Sequence, residues 1–220
     1  YNALVCLVRE SLGVSGVGFV ISTACSSSGK ALGAAQRLLD AGLANAVLTG
    51  GVDALCEMTL RGFAGLGILS PEGCRPFDAQ RNGISIGEGA ALLLVERESD
   101  SPFRLWGVGE SNDAHHATAP HPEGLGARLA MTRALEVAGL APSDVDYVNA
   151  HGTGTEQNDS AEARAIAEVF GPAVRFSSTK DRVGHQLGTA GATEAIFCLH
   201  ALHTGRLPAN RTPDVVDEQL

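Results

Sequence analysis

Twice in this chain a short apolar run ends on a chemically reactive side chain and is followed by a helical pattern, first at Cys25 and again at His151. Residues 17–23 (VGFVIST) have the length and β-branched content of a buried strand, and residues 26–41 (SSSGKALGAAQRLLDA) have helical spacing with small residues on one face. An apolar run over 46–50 returns as a second strand, so the unit is strand, Cys25, helix, strand. The segment 146–150 (DYVNA) repeats the opening with His151 where the cysteine stood, and a helix is predicted over 160–170 with Asn158 or Asp159 as its cap. Alternation of this kind restricts the chain to layered α/β folds.

Further helices are predicted over 3–12, 126–138 and 190–203, and further strands over 90–96, 104–109 and 174–178. Residues 62–89 are rich in Gly and turn residues with little period, and so long a loop inside a compact domain is usually functional. The segment 98–102 (ESDSP) is the one linker-like patch, which divides the chain into halves 1–100 and 101–220. With 27 glycines and only 5% aromatic residues, the interior must be built from Ala, Val, Leu and Ile packed closely around Gly-permitted turns.

Several functions are disfavoured at this level. A net charge of −9 without a Lys/Arg block makes nucleic acid a poor partner. Five cysteines, odd in number and without CxxC spacing, argue against a disulfide framework or a cysteine-rich zinc site and fit a reducing cytoplasm. No apolar run approaches the ~20 residues that span a bilayer. His115, His116 and His121 with Asp113 lack sound ligand geometry on one helix and lie among prolines, so a loop-packing role is expected there and no metal. The chain begins at Tyr1 and enters a helical pattern directly, so a piece of something longer is expected.

Cys25 stands at a strand-to-helix junction (TACSSSGK), where unpaired backbone N–H groups and the positive helix end favour a thiolate and offer oxyanion donors. A free cysteine is more often an inert core residue, and a lone histidine a hydrogen-bonded structural one. His151 (AHGTGTEQND) and His185 (STKDRVGHQLGTAGATEA), each among glycines that allow close approach, suggest a site shared with Cys25.

The segments TACSSS, RPFD with GEGAA, NAHGTGT followed by ND, and STK with GHQLGTAGATEA occur in one order over nearly all 220 residues. In these the chain resembles the elongating β-ketoacyl-acyl-carrier-protein synthases. The resemblance implies a thiolase-like five-layered αβαβα fold, here truncated, in a homodimer or heterodimer. Cys25 would take an acyl group from a phosphopantetheine thioester of an acyl carrier protein. His151 and His185 would donate N–H to the malonyl thioester as it loses CO₂. Lys180 and Glu194 match the charged pair behind the histidines, with Lys180 expected to orient His185. Thr153 and Thr155 match hydroxyls that contact the pantetheine arm. No metal or redox cofactor is implied. A second oxyanion donor would come from a loop beyond Leu220.

The run RPFDAQRNGISIGEGAA departs from the commoner pattern at Ile84, Ser85 and Ile86, and with STACSSS is similar to the synthases of aryl polyene pathways. Non-catalytic partner subunits share the fold but lack the cysteine. Thiolases, the enzymatic alternative, need a second catalytic cysteine near the chain's end, and none stands there.

Overall fold

A computed structural model describes residues 2–116, 118–210, 215 and 217. Helix α1 (Ala3–Leu12) ends at Gly13, whose left-handed backbone returns the Val14 N–H to the Arg9 carbonyl. Helix α2 (Ser27–Asp40) follows Cys25 and leads to strand β1 (Ala46–Asp53). After α3 (Glu57–Gly65) and a long irregular stretch, β2 (Gly89–Glu96) pairs antiparallel with β1 over eight residues, from Ala46 opposite Glu96 to Asp53 opposite Gly89.

The second half holds α4 (Leu125–Ala138), β3 (Tyr147–Asn149), α5 (Glu156–Phe170), β4 (Arg175–Ser177), the single turn α6 (Lys180–Val183) and α7 (Ala190–Thr204). Strands β3 and β4 pair in parallel, as a helical crossover requires. Helices α2 and α7 pack on each other and on the β1–β2 sheet, and α4 packs on α5. The core is small-sided as composition demands: Ala35, Ala91, Ala150, Ala161, Ala163, Ala165, Ala190 and Ala192 are buried with Ile84 and Ile166. Small contacts let α2 and α7 approach closely enough to bring their N-terminal ends, and the loops before them, to one place.

Three expectations need correction. Residues 17–23 form no ladder with another strand among the described residues, beyond an isolated bridge of Thr23 to Cys25, and Val17 is 90% exposed. Residues 104–109 likewise form no strand among the described residues. In both cases the apolar pattern is strand-like, but a strand exists only through a hydrogen-bonding neighbour. The helix predicted over 160–170 starts a turn earlier, at Glu156 after Thr155. Asp159 is therefore no cap but a wholly buried first-turn carboxylate that accepts from the Phe77 and Gly154 N–H groups.

The turn after His151 depends on Gly154, whose φ is +77° and where a Cβ would lie 2.8 Å from the Gly83 carbonyl and 3.0 Å from Cys74 Sγ. Gly154→Ala is expected to lower stability by about 1–3 kcal/mol, measured by urea unfolding; a variant as stable as the parent would contradict this packing.

Candidate active site

Cys25 is placed by a tight turn in which Ala24 has φ +54° and its carbonyl accepts the Ser27 N–H and hydroxyl. The cysteine thus lies just before the first turn of α2, facing the second half of the chain. His151 follows β3 directly, and its loop is held from α5: the Glu162 carboxylate accepts the His151 N–H at 2.6 Å and the Gly152 N–H at 2.8 Å. His185 is held by strand-like exchange with the long loop, its N–H donating to Ser85 at 2.6 Å and its carbonyl accepting from Gly87 at 3.0 Å.

These three supports converge. His185 Nε2 lies 2.9 Å from Cys25 Sγ, and the two imidazoles meet edge to face with centroids 5.1 Å apart. Ligand-type atoms of Cys25, His151 and His185 all lie within 4.8 Å of one another. The trio has the residue types of a soft-metal site, but a sulfur and a nitrogen on one tetrahedral zinc stand about 3.5 Å apart. At 2.9 Å the Cys25–His185 contact has the length of a hydrogen bond instead.

Behind them the Lys180 ammonium, its side chain 1% exposed, pairs with the Glu194 carboxylate from α7. Its hydrogen bond goes to Glu194, and its charge reaches both histidines. Burial first and the Lys180 charge second depress His185 to about 3. His151 is driven well below the usual imidazole range by burial, then by Lys180 and His185. Both rings are therefore neutral at ordinary pH and suited to hydrogen-bond donation more than to proton abstraction. Burial raises Glu194, with Lys180 opposing it.

Cys25 itself is raised, by burial above all, with Lys180 and its own backbone N–H pulling the other way. The resting group is a thiol, so the thiolate expected from the helix junction is not favoured here: burial outweighs the Lys180 charge and the backbone N–H that pull the other way. Thr153 and Thr155 come together, their hydroxyls 2.9 Å apart, with Thr153 buried. Asp113 accepts the His115 and His121 N–H groups, and His116 Nδ1 accepts those of Thr118 and Ala119. That histidine-rich segment spends its polar atoms on shaping its own loop.

Glu162 was not among the residues singled out in the sequence, although Asn158, Asp159 and Glu162 at helical spacing were the available signal. Burial raises the Glu162 carboxyl, while the Gly152 and His151 N–H groups lower it.

The depressed imidazoles make a prediction. Ring NMR signals of His151 and His185 are expected to stay in the neutral form from about pH 8 to about pH 4 while the protein remains folded; a midpoint near pH 6.5 for either ring would refute the assignment. Because folded values lie below unfolded ones, each ring's contribution to stability is whole above pH 6.5 and is lost as pH falls toward the folded value. The loss is at most about 1.4 kcal/mol per pH unit per ring.

Comparison with known proteins agrees with this geometry. Residues 1–101 match the family described as Beta-ketoacyl synthase, N-terminal domain, and residues 103–213 match Beta-ketoacyl synthase, C-terminal domain. A mitochondrial 3-oxoacyl-[acyl-carrier-protein] synthase of Arabidopsis thaliana is 40% identical over an alignment of 232 positions, gaps included, covering 95% of this chain and 50% of the relative. A solved ketosynthase in complex with its chain length factor, from Xenorhabdus doucetiae, is 46% identical with a TM-score of 0.92, over 98% of this chain and 54% of that one. A type II polyketide synthase acyl-carrier protein in complex with its ketosynthase, bound to the hexaketide, gives 29% identity and a TM-score of 0.95, over 100% of this chain and 58% of that one. The chain spans about half the length of the curated relatives it matches. No helix among the described residues is long and apolar enough to cross a membrane. The α/β fold is that of the thiolase-like ketosynthases, the cysteine and both histidines meet in one place, and both family domains match in order along the chain, which therefore belongs to the beta-ketoacyl synthase family.

Proposed function

We propose that this chain carries the catalytic centre of a 3-oxoacyl-[acyl-carrier-protein] synthase, an acyltransferase that extends an acyl chain by decarboxylative Claisen condensation. The observation that carries this reading is the convergence of one thiol with two neutral imidazoles, His185 Nε2 at 2.9 Å from Cys25 Sγ. Sulfur of Cys25 attacks the acyl thioester, its proton leaves with the carrier thiol, and a Cys25 thioester remains. The malonyl thioester then loses CO₂, and its carbonyl oxygen gains charge where His151 and His185 donate N–H. The resulting enolate carbon attacks the Cys25 thioester, a new carbon–carbon bond forms, and the thiol is regenerated by one proton. Atoms balance without a metal or redox cofactor.

The acyl and malonyl groups would arrive on the phosphopantetheine of an acyl carrier protein, past the Thr153 and Thr155 hydroxyls; the solved complex of a carrier protein with its ketosynthase supports this delivery. A heterodimer with a chain length factor, as in the Xenorhabdus relative, is the assembly favoured, and Cys25 would make this chain the catalytic member. Ile84, Ser85 and Ile86 support an aryl polyene pathway, and five free cysteines support a reducing cytoplasm.

Incubation with an acyl-carrier-protein thioester should add one acyl mass, mapped by mass spectrometry to Cys25, and malonyl carrier protein should then release CO₂ and give a 3-oxoacyl product. Acylation at another residue, or none in the protein as it occurs in its source, would overturn the proposal. Acylation without condensation would instead favour the alternative, a catalytically incomplete fragment or partner subunit.

A further inference from the structure

The irregular stretch between α3 and β2 crosses both histidine loops, and each crossing is made between glycines. At the first, the Gly83 N–H donates to the Gly154 carbonyl at 2.9 Å. At the second, Gly87 meets Gly184, where a Cβ on Gly87 would lie 2.3 Å from the Val183 carbonyl and one on Gly184 would lie 2.9 Å from Gly87 Cα. Side chains are excluded at both crossings, so the stretch lies against the His151 loop and the His185 loop at backbone distance.

Ser85 stands between the crossings and bonds toward both. Its carbonyl accepts the His185 N–H at 2.6 Å. Its hydroxyl accepts the Cys74 N–H at 2.9 Å, and the Cys74 thiol donates to the Thr153 carbonyl at 3.1 Å, two residues beyond His151. Cys74 is 6% exposed, and burial pushes its thiol up to about 12, which keeps the S–H a donor. One residue therefore joins two hydrogen-bonded routes, a direct one to His185 and one through Cys74 to the loop of His151. Ser85 also belongs to the short run in which the sequence departs from the commoner pattern.

We propose that Ser85 is a positioning residue that fixes the separation of the two imidazoles, its backbone carbonyl holding the His185 loop while its hydroxyl, through Cys74, sets the loop of His151 against it. The inference rests on the condensation reaction proposed above, in which one carbonyl oxygen must be reached by both rings at once. A shift of either loop spoils that shared geometry, and misplacement by about 1 Å is enough to cost on the order of 100-fold in rate. Ser85 is half-buried and lines, with Cys74, Ile86 and Gly184, a cleft of about 650 Å³, so a smaller side chain at this position meets open space on one side.

The test uses histidine-labelled protein and the variants Ser85→Ala, Ser85→Thr and Cys74→Ala. Ser85→Ala removes the hydroxyl and keeps the backbone carbonyl that accepts the His185 N–H, so it should move the ring NMR signals of His151 and leave those of His185 in place, as Cys74→Ala should, and Ser85→Thr, which keeps the hydroxyl, should restore the His151 signals. Release of CO₂ from malonyl carrier protein should fall on the order of tenfold in Ser85→Ala, seen in kcat more than in KM, and recover in Ser85→Thr. Unmoved His151 signals in Ser85→Ala, or signals of histidines throughout the chain moving together, would overturn the proposal. If the parent protein releases no CO₂, the reaction is refuted, while the NMR comparison still decides the role of Ser85.

Discussion

A Cys25→Ala protein is expected to take up no acyl mass and form no condensation product, a loss on the order of 10⁴-fold or more, while CO₂ release from malonyl carrier protein continues. The two halves of the reaction use different atoms. Acyl transfer needs a sulfur, and the His185 nitrogen 2.9 Å from it is too weakly basic, at about 3, to serve as a substitute nucleophile. Decarboxylation needs two N–H donors around one oxygen, and both imidazoles are held by backbone bonds to Glu162, Ser85 and Gly87 that the substitution leaves in place. Mass spectrometry of the acylated protein and a CO₂ assay, run on the same preparation, read the two halves apart. Condensation within tenfold of the parent rate would remove Cys25 from the mechanism; loss of decarboxylation along with acylation would show that the histidines do not act independently of the sulfur.

Lys180→Met is the second large effect, and it acts on stability as well as on rate. The ammonium is nearly inaccessible and pairs with Glu194, and removing one partner of a buried pair costs about 3–5 kcal/mol because the other is left without compensation. For a chain of this size that lowers the melting midpoint by roughly 10 °C. Protonation of Glu194, already raised by burial, limits the loss. The same substitution removes the second cause of the depressed histidines, so His185 should titrate above about 3 while remaining below the usual range, since burial is the larger cause. Combining Lys180→Met with Glu194→Leu should restore most of the stability, as replacing a whole buried pair often does. The histidines would still titrate higher in the double variant. Calorimetry and histidine NMR on the single and double variants check this; equal titration in parent and variants would show that the Lys180 charge does not reach the rings.

Much of this site is legible in the chain because its signals are local. Cys25 between an apolar run and a small-residue helix, and His151 at the end of a short strand-like run, follow from the spacing of neighbours, and α2, α4 and α7 lie within a residue or two of where periodicity puts them. What was not legible depends on partners far along the chain. Residues 17–23 and 104–109 carry a strand's side chains but have no ladder among the described residues. Glu162 looks like any mid-helix carboxylate until the fold turns it onto the His151 and Gly152 N–H groups. The ionisation of Cys25 is legible only in part for the same reason: the helix end is local, whereas the buried thiol lies against His185, 160 residues along the chain.

The left-handed backbone at Ala24 bears on how the gene can vary. Single-base changes of an alanine codon lead to Gly, Ser, Thr, Pro, Val and one acidic residue. At a φ of +54° proline is excluded by its ring and the β-branched Val and Thr by their own backbone clash, while Gly relaxes the turn and Asp tolerates it. Drift beside the nucleophile is thereby channelled toward glycine or a small polar residue, and lineages that took the glycine route would keep the chemistry with a looser elbow.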